Sequence, residues 1–133
     1  MQDVKTLLKS YLPTLRYAEK CFRELELARE ATVRSPRMDG MPRSGSISGL
    51  ELQVAMIERI RKKEEKEREK VLKMLDQIED MIESLEEPEQ KTVIKLRYVY
   101  GYAWSEIAIS METSERTVYY VHGKALANLR KLQ

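Results

Sequence analysis

The chain has 133 residues, 42% hydrophobic and 35% charged, with a formal net charge of +2. That balance is globular rather than disordered, and the length suits one domain or a small domain with an extension. Its one cysteine, Cys21, excludes an internal disulfide and any cysteine-based zinc site, and with no apolar run near about 18 residues a cytoplasmic protein without a membrane span is expected.

The first predicted element is a helix over residues 3–32. Val4, Leu8, Tyr11, Leu15, Ala18, Phe22 and Leu25 recur at alternating steps of four and three, which places them on one helical face. Pro13 interrupts this helix, as a kink or as the point where the main helix begins, because it lacks an N–H and its ring crowds the preceding turn. Residues 33–49 read as a connecting loop, with a turn former at nearly every step through Ser35, Pro36, Gly40, Pro42 and Gly45. Arg34, Arg37 and Arg43 lie there as candidate phosphate contacts.

Residues 50–85 give the longest periodic segment. Leu50, Val54, Ile57, Val71, Leu75, Ile78, Ile82 and Leu85 share one four-three register, and Arg61, Glu64 and Arg68 fill its middle. Opposite charges three or four apart, with Lys62 and Lys66 answering Glu65 and Glu69, support an unbroken helix whose middle is poorly buried. Two long amphipathic helices joined by one loop imply an antiparallel hairpin over residues 1–87. Pro88 closes it and opens the next helix.

The C-terminal segment 88–133 carries a basic excess. It holds four acids and seven bases from residue 89 onward, against twelve acids and eight bases over residues 50–88. Val93, Leu96 and Val99 or Tyr100 line a helix over residues 89–100, which Gly101 stops. Trp104, Ile107, Ala108 and Met111 mark a second, short helix with Ser105 as its expected N-cap. Glu112, Thr113 and Ser114 make a turn, and Ser114 caps a third helix whose buried stripe is Val118, Val121, Ala125, Leu126 and Leu129. Two short helices joined this way form a helix-turn-helix, in which one helix braces and the other projects.

The outward face of the third helix bears Glu115, Arg116, Tyr119, Tyr120 and Lys124. Arg116 suits guanine O6 and N7 or a phosphate, and the tyrosines offer hydroxyls and flat faces. Lys124, Arg130 and Lys131 lie farther along, where backbone phosphate is the expected partner. With Ser114 at the cap, these eight residues are the candidate sites for double-stranded DNA. Tyr98 and Trp104 are expected in the core, with His122 packed or half-buried.

Trp104-Ser105-Glu106-Ile107-Ala108, Ser114-Glu115-Arg116-Thr117-Val118 and Ala125-Leu126-Ala127-Asn128-Leu129-Arg130 resemble the promoter-reading region 4 of bacterial sigma factors over about 40 residues. The whole chain looks closer still to small phage and prophage proteins that carry this sigma-like unit, related to ArpU- and RinA-type regulators of late phage genes. Their pattern adds the loop Met41-Pro42-Arg43-Ser44-Gly45 and the tripeptide Leu96-Arg97-Tyr98. The resemblance implies an all-α regulator of transcription with the third helix, about residues 115–130, in the major groove. Nothing resembles the sigma segment that binds the −10 element.

No enzyme constellation is visible. His122 is the single histidine, the acids Asp76, Glu79, Asp80, Glu83, Glu86 and Glu87 read as a solvated helix face, and Cys21 as a packed thiol beside Phe22. No glycine-rich phosphate loop follows a strand, so neither cofactor nor metal is expected. The competing reading is a helical module docking on RNA polymerase or another phage protein without DNA binding of its own. A homodimer through residues 3–85 is also expected, joined by the Val71-to-Leu85 stripe or by the edge carrying Leu52, Met56, Ile60 and Met74.

Overall fold

In a computed structural model of the chain, the described residues are 3–34 and 49–132. They form α1 (Val4–Arg34), α2 (Gly49–Glu83), α3 (Pro88–Ile94) continued by a π-helical turn (Lys95–Val99), α4 (Trp104–Ser110) and α5 (Glu115–Lys131), with no strand among them. The architecture is all-α: a long antiparallel hairpin of α1 and α2, then a three-helix helix-turn-helix unit. The side chain of Arg34 and residues 35–48, with Arg37, Arg43 and the Met41-to-Gly45 motif, lie outside the described residues.

Two compact units divide the chain, one made of Met1–Thr14 with Val71–Gln133 and the other of Leu15–Lys70. This division differs from a cut at residue 88, because the first turns of α1 and the last turns of α2 belong with α3–α5. Pro88 occupies the first position of α3, where its missing N–H has no helical partner to lose.

α1 runs continuously through Pro13, so the alternative of a helix beginning at that residue does not hold. Hydroxyls take up carbonyls nearby: Ser10 Oγ donates to the Leu7 carbonyl at 2.9 Å and Thr14 Oγ1 to the Ser10 carbonyl at 2.7 Å. Val4, Leu8, Tyr11, Ala18 and Leu25 are buried as their spacing requires. Phe22 is not: it is 47% exposed, and Cys21 takes the inward position instead. A strict seven-residue stripe drifts around a straight helix by about 20° per repeat, enough to hand the position to a neighbour.

In the second unit, Lys63 Nζ of α2 lies 5.5 Å from the ring centre of Tyr17 of α1, tying the two arms. Leu27, Val33, Leu50, Leu52, Val54 and Met56 are exposed, so the early part of the α2 stripe is not covered by described residues. The charged middle departs from expectation, because Glu64 is buried, with Arg68 Nη1 3.7 Å from its carboxylate. The other charges pair through Arg61, with Glu58 at 2.7 Å and Glu65 at 3.1 Å, and through Lys70 with Glu67 at 3.3 Å, rather than through Lys62 and Lys66.

The first unit holds the main core. Leu8, Ile78, Ile94, Ile107 and Leu129 are almost fully buried, each worth about 1.5–3 kcal/mol relative to exposure. Val93, Ile107, Ala108 and Val118 form one cluster, with Leu96, Trp104, Met111 and Val121 packed against it. Val71, Ile78, Ile82 and Leu85 are also buried in this unit, which removes the Val71-to-Leu85 stripe as a face for a second subunit.

Candidate nucleic-acid interface

α3 ends through a π-helical turn, in which the Tyr100 N–H donates to the Lys95 carbonyl at 3.1 Å and the Tyr102 N–H to the Leu96 carbonyl at 2.9 Å. Gly101 sits at φ +76°, a conformation that side-chain-bearing residues rarely adopt. A Cβ there would lie 3.2 Å from Leu12 Cδ1, so the turn also presses against α1.

α4 begins one residue before the expected cap. Ala103 is the N-cap and Ser105 lies within the first turn. Alanine has no side-chain acceptor, so half a capping box does the work: the Glu106 carboxylate accepts from the Ala103 N–H at 2.9 Å. The reach-back carboxylate outweighs the intrinsic preference of serine for the cap.

The turn into α5 closes tightly. The Thr113 N–H donates to the Ala108 carbonyl at 2.9 Å, and Glu112 takes φ 54°. Ser114 is the N-cap of α5, its Oγ accepting from the Thr117 N–H at 3.2 Å and lying 3.0 Å from Thr117 Oγ1. The acidic Glu115 follows in the first turn, where the helix dipole favours it.

From this cap α5 projects an exposed face. Ser114, Glu115, Arg116, Tyr119, Tyr120, Lys124, Arg130 and Lys131 are all exposed. Glu115, Arg116, Tyr119 and Tyr120 come together on the first turns. Arg130 and Lys131 stand in the last turn, where they also complement the helix dipole. Gly123 lies between these groups with open space around its Cβ position. Val118, Ala125, Leu126 and Leu129 are buried on the opposite side and Val121 is half-buried.

Aromatic contacts fix the tyrosines in a way that periodicity did not reveal. The Tyr119 ring lies 5.0 Å from that of Trp104 on α4, and Lys124 Nζ lies 5.4 Å from the ring centre of Tyr120. Arg97 sits over Trp104 at 4.4 Å while its Nη1 donates to the Tyr102 carbonyl at 3.0 Å. The bracing helix thus holds a residue of the projecting helix.

His122 is half-buried beneath this face. Its Nε2 is 2.7 Å from the Tyr98 hydroxyl, and Trp104 meets its ring edge-on at 4.7 Å. Burial pushes the imidazole pKa down to about 4, and the charges of Lys5, Arg97 and Lys9 add to the effect. Burial likewise raises that of Tyr98. Deeper along α5, Asn128 Nδ2 donates to Gln90 Oε1 at 2.9 Å, a part-buried polar tie to α3 with no signature in the spacing.

Residues 75–129 match the family model described as Sigma-70, region 4. The match begins inside α2, earlier than Pro88. No curated protein and no solved structure matches the chain. Together with the geometry of α4, the turn and α5, this identifies the C-terminal helices as a sigma region 4-like helix-turn-helix, a DNA-binding fold.

Proposed function

We propose that the protein is a transcriptional regulator of the phage or prophage type, which reads duplex DNA by placing the first turns of α5 in the major groove. The observation that carries this reading is the exposed face of Glu115, Arg116, Tyr119 and Tyr120 immediately after the Ser114 cap. A recognition helix contacts base edges with its N-terminal residues, and Arg116 supplies the donor fork that guanine accepts. Lys124, Arg130 and Lys131 grip backbone phosphate. DNA binding resides in residues 88–133, and RNA polymerase is a second partner by analogy with the sigma-like unit.

Mobility-shift assays test it. Replacing Arg116 and Lys124 by Ala weakens binding while circular dichroism stays unchanged. Absence of any affinity of the wild-type protein at low salt, even for fragments from its own genomic neighbourhood, rejects the reading.

A homodimer through the hairpin is part of the same proposal. Leu52 and Met56, at 57% and 63% exposed, mark the edge that remains for a second copy once Val71 to Leu85 are committed to the first unit's core. Doubling the helix-turn-helix would supply half-site geometry. Sedimentation equilibrium decides it: a mass near 15.6 kDa excludes the dimer, and twice that value, lowered by Leu52→Glu with Met56→Glu, supports it.

A further inference from the structure

Lys5, Lys9 and Leu12 of α1 follow one another at steps of four and three. They form a strip flanking the buried Val4, Leu8 and Tyr11. Leu12 anchors the strip, because its Cδ1 abuts Gly101 in the turn that leads into α4. Lys9 is exposed and Lys5 partly so, and neither forms an ion pair with a described residue. Both lie close enough to His122 to disfavour its charged form. His122 stands one turn beyond Tyr119 on α5 and shares Trp104 with it. The N-terminal turns of α1 therefore place two unneutralised cations beside the helix-turn-helix, within the same compact unit.

We propose that Lys5 and Lys9 of α1 extend the DNA-contacting surface by gripping backbone phosphate alongside the groove entered by α5. The inference rests on the DNA-binding reading above and adds a binding element from the opposite end of the chain, outside the segment that matches the sigma family model. Phosphate is the fitting ligand because ammonium groups on flexible stems act as point charges, whereas reading a base edge needs the planar fork that α5 supplies. Such contacts carry no sequence preference and release counterions, so they deepen the salt dependence of binding for every duplex alike.

The test compares the full chain with Lys5→Ala/Lys9→Ala, titrating one duplex that the wild type prefers and one scrambled duplex over a range of salt. The alanine pair should lower affinity for both by the same factor, roughly tenfold, and make the log K against log salt slope shallower by about 1–2. Lys5→Arg/Lys9→Arg should keep the wild-type slope, while Lys20→Ala/Lys66→Ala, two exposed lysines of the other unit, should leave it unchanged. An unchanged slope in the alanine pair overturns this proposal and leaves the major-groove reading standing. An equal loss in the arginine pair or in the Lys20/Lys66 control also overturns it, since packing or overall charge would then be responsible. A wild type that binds neither duplex rejects the DNA-binding reading itself.

Discussion

The Tyr98 hydroxyl lies 2.7 Å from Nε2 of His122, joining the π-helical turn to the middle of α5. In the tautomer protonated on Nδ1 the hydroxyl donates to Nε2, and with a proton on Nε2 the ring donates to the hydroxyl oxygen instead. Burial, Lys5, Arg97 and Lys9 all favour the neutral form of the ring, holding the pKa near 4 against an ordinary 6.5.

A pH dependence of stability follows. Between pH 6.5 and about 4 the unfolded chain binds a proton at His122 that the folded chain resists. The stabilisation is therefore complete above pH 6.5 and is lost as pH falls through about 4. For a fully buried ring the change would be ~3 kcal/mol; solvent screening at this half-exposed ring brings the expected figure to about 1–2 kcal/mol. Urea unfolding of the wild type and His122→Gln between pH 7 and 4 measures it, and the variant should lose less stability over that span. Parallel curves would show that His122 does not contribute.

Two glycines should respond to alanine in opposite directions. Gly101→Ala puts a Cβ on a residue at φ +76° and 3.2 Å from Leu12 Cδ1, so it should destabilise by about 1–2 kcal/mol. Gly123→Ala meets nothing within 4 Å inside a regular helix and should stabilise by about 1 kcal/mol. Thermal melts read both. The same Gly123 variant, assayed for DNA, reports whether the groove approaches the α5 backbone there.

The entry to α5 offers a second pair. Ser114→Ala removes the acceptor for the Thr117 N–H and should cost about 1 kcal/mol. Glu112→Gly relieves a non-glycine residue at φ 54° and should raise the melting temperature. A lower melting temperature for Glu112→Gly would mean that the Glu112 side chain contributes more than its backbone strain removes.

Glu64 is the buried member of the charged run, facing Arg68 at 3.7 Å. An apolar residue of similar size avoids the desolvation of a carboxylate. Glu64→Leu should therefore match or exceed wild-type stability, whereas Glu64→Ala, which leaves a gap, should fall below it. Chemical denaturation of the two variants separates packing from charge.

What the sequence made legible was local. The positions Val4, Leu8, Tyr11, Ala18 and Leu25, the Ser114 cap and the stripe from Val118 to Leu129 each depend on neighbours within a turn or two, and these appear in the structure. Ser105 misled because a carboxylate on the next residue captured the free N–H first. Phe22 misled because the buried face rotates along α1. Glu64 occupies an inward position of the α2 register, and only its charge argued against burial, whereas the left-handed Glu112 and the tie between Asn128 and Gln90 leave no periodic trace. Nor does spacing reveal that residues 3–14 pack in one body with α3–α5, since that pairing joins distant stretches of chain. Of the candidate site, the exposed face was readable from helical geometry, and its bracing by Trp104 was not.

The contact between Leu12 and Gly101 also sets an order of events during synthesis. Val4, Leu8 and Tyr11 leave the ribosome long before the segment that shares their unit has been made. A nascent chain in that interval exposes an oily strip of helix, the kind of surface that chaperones hold and that aggregates when they do not. The same topology has a practical side. An affinity tag fused ahead of Val4 would emerge beside Lys5, next to the helix-turn-helix, and a tag placed there is a poor neutral choice for any binding assay.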